Sequence, residues 1–119
     1  MQEDSKLLDS LISIAFEFFR FKDIFEKLLS KLDFDEQAKY LKQYSWFSKK
    51  VERALESAQI KVLDFQGKLY DPGMAVSTLN IDDFNEDDQL FVVQTIEPTI
   101  LIDDTVYRIG TVLLGRESI

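Results

Sequence analysis

The chain has 119 residues, a formal charge of −8, ten Phe, four Tyr and one Trp. It contains no Cys and no His, which excludes thiol and disulfide chemistry, His-ligated metals and His acid–base catalysis. A chain this size makes one domain or two small ones and buries only about two-thirds of its unfolded surface, so a surplus of large aromatics points to interface as well as core.

The first residues, Met1-Gln2-Glu3-Asp4, are acidic, where a secretory signal starts basic. The first helix is expected from about Ser5 to Lys31, with Ser5 as N-cap in competition with Asp4. Its apolar residues Leu7, Leu11, Ile14, Phe18, Phe21, Phe25, Leu28 and Leu32 alternate between spacings of four and three, a heptad stripe. Leu8, Ile12, Ala15, Phe16, Phe19, Ile24 and Leu29 widen that stripe beyond a two-stranded seam, so this helix needs more than one neighbour. Glu17, Arg20 and Asp23 interrupt the apolar runs, so no bilayer span is expected, and a cytoplasmic protein without membrane contact is the expectation.

Asp33-Phe34-Asp35 breaks the pattern, and Asp35 is the expected N-cap of a second helix from about Glu36 to Ala58. Its apolar stripe is Tyr40, Leu41, Tyr44, Phe47, Val51, Ala54, Leu55 and Ala58. The opposite face carries Lys39, Lys42, Lys49, Lys50 and Arg53, which reads as a solvated face. The short connection predicts an antiparallel helical hairpin, and two such hairpins would close a four-helix bundle across a two-fold axis. A homodimer follows, with Leu11, Ile14, Phe18, Phe21, Phe25 and Leu28 at its interface.

At Ile60 both hydrophobic period and charge change. Residues 1–59 carry ten Lys/Arg and eleven Asp/Glu, a net of −1; residues 60–119 carry four and eleven, a net of −7. Such a surface repels nucleic acid and either serves solubility or steers a basic protein partner. Ile60–Phe65 reads as a strand, Gln66-Gly67-Lys68 and Asp71-Pro72-Gly73 as turns, and Met74–Leu79 as a short strand. Asn80–Asp88 is a polar loop. Leu90–Ile96 is a strand interrupted at Glu97-Pro98, since Pro cannot donate to a ladder, and Thr99–Ile102 continues it. Asp103-Asp104 is a two-residue hairpin candidate, and Thr105–Leu114 returns. The fold class is therefore α+β: helical dimerisation segment 1–59, then a small, mostly antiparallel sheet or half-barrel over 60–119.

Chemistry-bearing patterns are weak. The loop Asp82-Asp83-Phe84-Asn85-Glu86-Asp87-Asp88 lacks the central Gly and terminal Glu of a calcium loop. Gly67, Gly73, Gly110 and Gly115 make no phosphate-binding pattern. Adjacent carboxylates such as Asp103-Asp104 are turn residues rather than a catalytic dyad. Tyr70 and Tyr107 serve either as core or as interface anchors. No catalytic group, cofactor or metal is expected.

The order Asp71-Pro72 turn, Ala75, acidic Asp82-Asp83, Val106-Tyr107-Arg108 and Thr111-Val112-Leu113-Leu114, after a helical segment, resembles the C-terminal β-domain of the GrpE family. Those proteins are nucleotide exchange factors of DnaK-type chaperone ATPases. The resemblance covers about residues 45–115. It implies a shortened, divergent cochaperone whose β-domain holds a DnaK-like ATPase open, with Met74, Ala75, Asp82, Asp83, Asp103, Asp104 and Arg108 at the contact. The family's Gly-Tyr is Glu97-Pro98 here, and its turn Arg is replaced by Asp103-Asp104, so that contact is absent or reversed in charge. The alternative is a non-catalytic dimeric adaptor or secretion-type chaperone.

Overall fold

A computed structural model describes residues 2–117. Two long helices, α1 (Gln2–Leu29) and α2 (Phe34–Ser57), precede six short strands, an α+β layout. The chain divides into two compact units, Met1–Ala58 and Gln59–Ile119.

In the first unit the helices run antiparallel across the short connection 30–33. α1 starts at Gln2, so Ser5 lies inside it and is not the cap. Asp4, in the first turn, already supplies a carboxylate to the positive end of the helix dipole. Asp33, not Asp35, caps α2: it is extended (φ −67°, ψ 168°) and its Oδ1 accepts the Glu36 N–H at 2.9 Å. Asp33 with Glu36 three residues on has the spacing of a capping box, which outcompetes Asp35 and takes Phe34 into the first turn.

Only part of the heptad stripe of α1 meets α2: Phe18 and Phe25 do, while Leu7, Leu11, Ile14, Phe21 and Leu28 are exposed. The buried residues of α1 are Ile12, Ala15 and Leu29, which share a face with Leu8 and Phe19. On α2 the buried residues are Ser48 and Leu55. The pair is fastened along its length by Gln37 Nε2 donating to the Leu29 carbonyl (3.1 Å), the Tyr44 hydroxyl donating to Glu26 (3.0 Å) and Lys22 facing Glu52 (3.7 Å). Ring contacts join Phe18 to Phe47 (6.0 Å) and Phe25 to Tyr44 (5.1 Å). Burial, then the bond to Glu26, pushes the Tyr44 hydroxyl pKa well above its ordinary value. Ser48 Oγ is buried beside the Tyr44 hydroxyl without a partner at hydrogen-bond geometry, one more polar group in a seam that mixes apolar and polar contacts.

α2 ends where Gln59 enters the left-handed region (φ 63°), which turns the chain out of the helix. The second unit holds two three-stranded sheets rather than one sheet or half-barrel. The first has order β1 (Ile60–Leu63), β4 (Thr99–Ile102), β5 (Thr105–Arg108), all antiparallel. The second has order β2 (Val76–Thr78), β6 (Gly110–Gly115), β3 (Phe91–Glu97), with β2 parallel to β6. The expected strand Met74–Leu79 shrinks to Val76–Thr78, and Met74 and Ala75 belong to the preceding turn. The expected strand Thr105–Leu114 is two strands broken at Ile109, each in a different sheet.

The chain therefore changes sheets three times, between β1 and β2, at Pro98 and at Ile109. Pro98 is fully buried between β3 and β4, where its missing N–H costs no ladder bond. β3 is bulged before that point, at Val92/Gln94 and Thr95/Glu97. Asp103 and Asp104 have φ of 51° and 62°, the two left-handed residues of a type I′ hairpin turn, as the spacing predicts. The second sheet's core is Leu90, Val92, Val112 and Leu114, covered by Phe65, Tyr70, Val76 and Phe84.

Candidate interaction surfaces

The helical unit leaves a broad apolar face uncovered. On α1, Leu7, Leu11, Ile14, Phe21 and Leu28 are exposed, with Ile14 at 59% and Phe21 at 52%; Phe18 and Phe25 are half-buried. These residues sit about a quarter-turn around α1 from the row Ile12, Ala15 and Leu29. Tyr40, Leu41 and Phe47 of α2 are also exposed. An open groove of ≈ 440 Å³ runs between the helices, lined by Ile14, Phe18 and Phe21 on one side and Phe47 and Val51 on the other. A continuous apolar face of this extent is unusual on a lone monomer.

The β-unit residues expected at a partner contact fall into three groups. Met74 and Ala75 are half-buried and engaged internally. Met74 Sδ accepts the Asp71 N–H at 3.3 Å. The Ala75 carbonyl accepts from the Thr99 hydroxyl at 2.7 Å and from the Gly110 N–H at 3.2 Å. Asp103 and Asp104 form the exposed tip of the β4–β5 hairpin. Asp104 pairs with Lys61 at 2.8 Å, which holds its carboxyl below the usual range, while the Asp103 N–H donates to the Gln59 carbonyl. Arg108, at the other end of β5, faces Glu97 at 3.9 Å. Asp82 and Asp83 lie on a 3₁₀ turn (Ile81–Asp83) beside the far end of β6. The hairpin tip and the acidic turn thus sit at opposite ends of the β5–β6 run, while Ala75 and Arg108 share its middle.

The acidic loop is built rather than loose. The Asn80 amide donates to the Leu114 carbonyl and accepts the Leu114 N–H, both at 2.9 Å, imitating one more residue pair of the β2–β6 ladder. Arg116 pairs with Asp88 at 3.1 Å and lies over the Phe84 ring at 5.0 Å. A backbone bond from Asn85, then Arg116, lowers the Asp88 pKa. Among the described residues no group of three acids is placed to hold a metal ion. Asn80 and Thr99 carry no sequence signal of their own, since nothing local marks a polar side chain whose partners lie far along the chain.

Replacing Asn80 with Ala is expected to cost about 2 kcal/mol, the sum of two part-buried hydrogen bonds. Asn80→Asp should cost more, because its carboxylate faces the Leu114 carbonyl. Urea denaturation tests both: the midpoint should fall with little change in slope.

Among the described residues no helix is long and apolar enough to cross a membrane. No family model, no curated protein and no solved structure matches this chain.

Proposed function

We propose that this protein is a dimeric, GrpE-like cochaperone that promotes nucleotide exchange on a DnaK-type ATPase, with no catalytic group of its own. One observation supports the reading above the others. Ala75 and the stretch Thr111-Val112-Leu113-Leu114, which carry the resemblance far apart in sequence, lie side by side: the Ala75 carbonyl accepts the N–H of Gly110, next to that stretch, and β2 just after Ala75 pairs with Thr111 and Val112. The uncovered face of the helical hairpin supports the dimer, with Leu11, Ile14, Phe18, Phe21, Phe25 and Leu28 contributing to a four-helix bundle.

The mechanism is differential affinity. A β-unit that binds the open form of an ATPase cleft better than the closed, nucleotide-bound form shifts the population toward open and releases nucleotide. The contact uses the hairpin tip at Asp103 and the segment from Met74 to Asp83, and the facing partner surface is basic. Asp104 already neutralises Lys61, so Asp103 is the charge most available to a partner.

The test is a pulldown from native extract, followed by stopped-flow release of a fluorescent nucleotide from the recovered ATPase. The wild-type protein should accelerate release, and added salt should weaken its binding. Asp103→Asn preserves a residue tolerant of the left-handed turn and should slow association roughly twofold to fivefold. Binding without faster release assigns the protein to the adaptor class instead. Recovery of no ATPase removes the exchange reading.

A further inference from the structure

α2 carries a second face, opposite its seam with α1. Lys39, Lys42, Trp46, Lys49 and Arg53 recur at spacings of three and four, with Lys50 beside them, and all are exposed. Trp46, the only Trp in the chain, is 64% exposed and has Lys50 Nζ over its ring at 4.4 Å. Lys39 lies over Tyr40 at 5.6 Å. Among the described residues, no ion pair involves Lys39, Lys42, Lys49, Lys50 or Arg53, whereas Arg20, Lys22 and Lys27 all have carboxylate partners. In a chain of charge −8, five uncompensated cations on one helix face are a local reversal of sign.

We infer that this stripe is a docking site for an acidic helix of another protein, separate from the apolar face and from the β-unit. The row spans about 21 Å from Lys39 to Arg53, with steps of about 4.5 and 6 Å along the axis. A partner helix with Glu or Asp at the same spacings presents carboxylates in the same rhythm, and Trp46 supplies a central aromatic anchor. Charge complementarity selects that occupant over two others. A bilayer needs an apolar face to enter the headgroup layer, and on this stripe Trp46 is the single apolar residue. A nucleic acid brings a long line of phosphates toward a strongly acidic chain. The inference does not rest on the exchange reading, because the stripe lies on the helical unit alone.

Trp46 makes the site self-reporting. The full-length protein is titrated with a labelled, helix-forming peptide of about 20 residues carrying glutamates at spacings of three and four. Controls are a composition-matched peptide with those glutamates scattered, phosphatidylserine vesicles and a single-stranded oligothymidine. The patterned peptide is expected to bind, to shift Trp46 emission, and to bind about tenfold more weakly to Lys42→Gln/Lys49→Gln, the scale of two exposed ion pairs. Gln matches Lys in helix propensity, so circular dichroism should be unchanged by that variant. Asp103→Asn should bind the peptide as the wild type does. Equal binding of the scattered peptide, no shift in Trp46 emission, or binding of vesicles or oligothymidine in place of the peptide would overturn the inference.

Discussion

Phe21→Asp combined with Ile14→Asp is expected to turn a dimer into a monomer at micromolar concentration, with the hairpin itself intact. Both residues are more than half exposed within one chain, so a carboxylate at either position is solvated in the monomer. In a two-fold bundle each substitution occurs twice, and an unpaired carboxylate buried against apolar side chains costs several kcal/mol. A loss of only about 4 kcal/mol raises the dissociation constant about a thousandfold. Phe18 is the poorer test residue, because it also packs on Phe47 inside the hairpin and its loss would mix two effects. Sedimentation of wild type and variant decides the matter, with helical circular dichroism as the folding control. A wild-type chain that sediments as a monomer at micromolar concentration removes the dimer, and with it the explanation of the uncovered face.

The two helices and the change of architecture at Ile60 were legible because helical and strand periods differ and several residues report each of them. The Asp103-Asp104 turn was legible for a local reason: two short polar residues between apolar runs, each tolerant of positive φ. The division of α1's apolar residues was not legible. Fourteen apolar residues offer two overlapping heptad rows, and only tertiary contacts such as Tyr44 to Glu26, Phe18 to Phe47 and Phe25 to Tyr44 show that the seam takes the row at Ala15 together with Phe18 and Phe25. The break at Ile109 was hidden for a similar reason, since an apolar run gives no sign that it changes partner midway. The parallel β2–β6 pair is extended by Asn80 and Leu114, which lie 34 positions apart, so nothing local announces it. Of the expected contact residues, Met74 and Ala75 turn out to be engaged inside the fold, a role that short motif matches cannot separate from partner binding.

Gly110→Ala is expected to destabilise the β-unit by about 3 kcal/mol or more, a large part of a small domain's stability. A Cβ there would lie 2.7 Å from the Glu97 carbonyl oxygen, 2.8 Å from Thr99 Oγ1 and 2.9 Å from the Thr99 N. Two of these are backbone atoms flanking the fully buried Pro98, so no side-chain rotation relieves the contact. The shift would also disturb the Thr99 hydroxyl, which donates to the Ala75 carbonyl and accepts the Gly110 N–H at 3.1 Å. The crossings at Pro98 and at Ile109 would therefore loosen together. Gly115→Ala is the control: its Cβ meets Val93 Cγ1 at 2.8 Å, a side-chain atom of a half-buried residue rather than backbone, and its cost should be the smaller, near 1 kcal/mol. Hydrogen exchange at the Val92 and Val112 amides reads the β-unit directly, while sedimentation reads the dimer. In Gly110→Ala, exchange at those amides should rise more than a hundredfold, the equivalent of about 3 kcal/mol, with the dimer retained. Exchange within a few-fold of wild type would mean that the close approach at Gly110 does not hold the two sheets together.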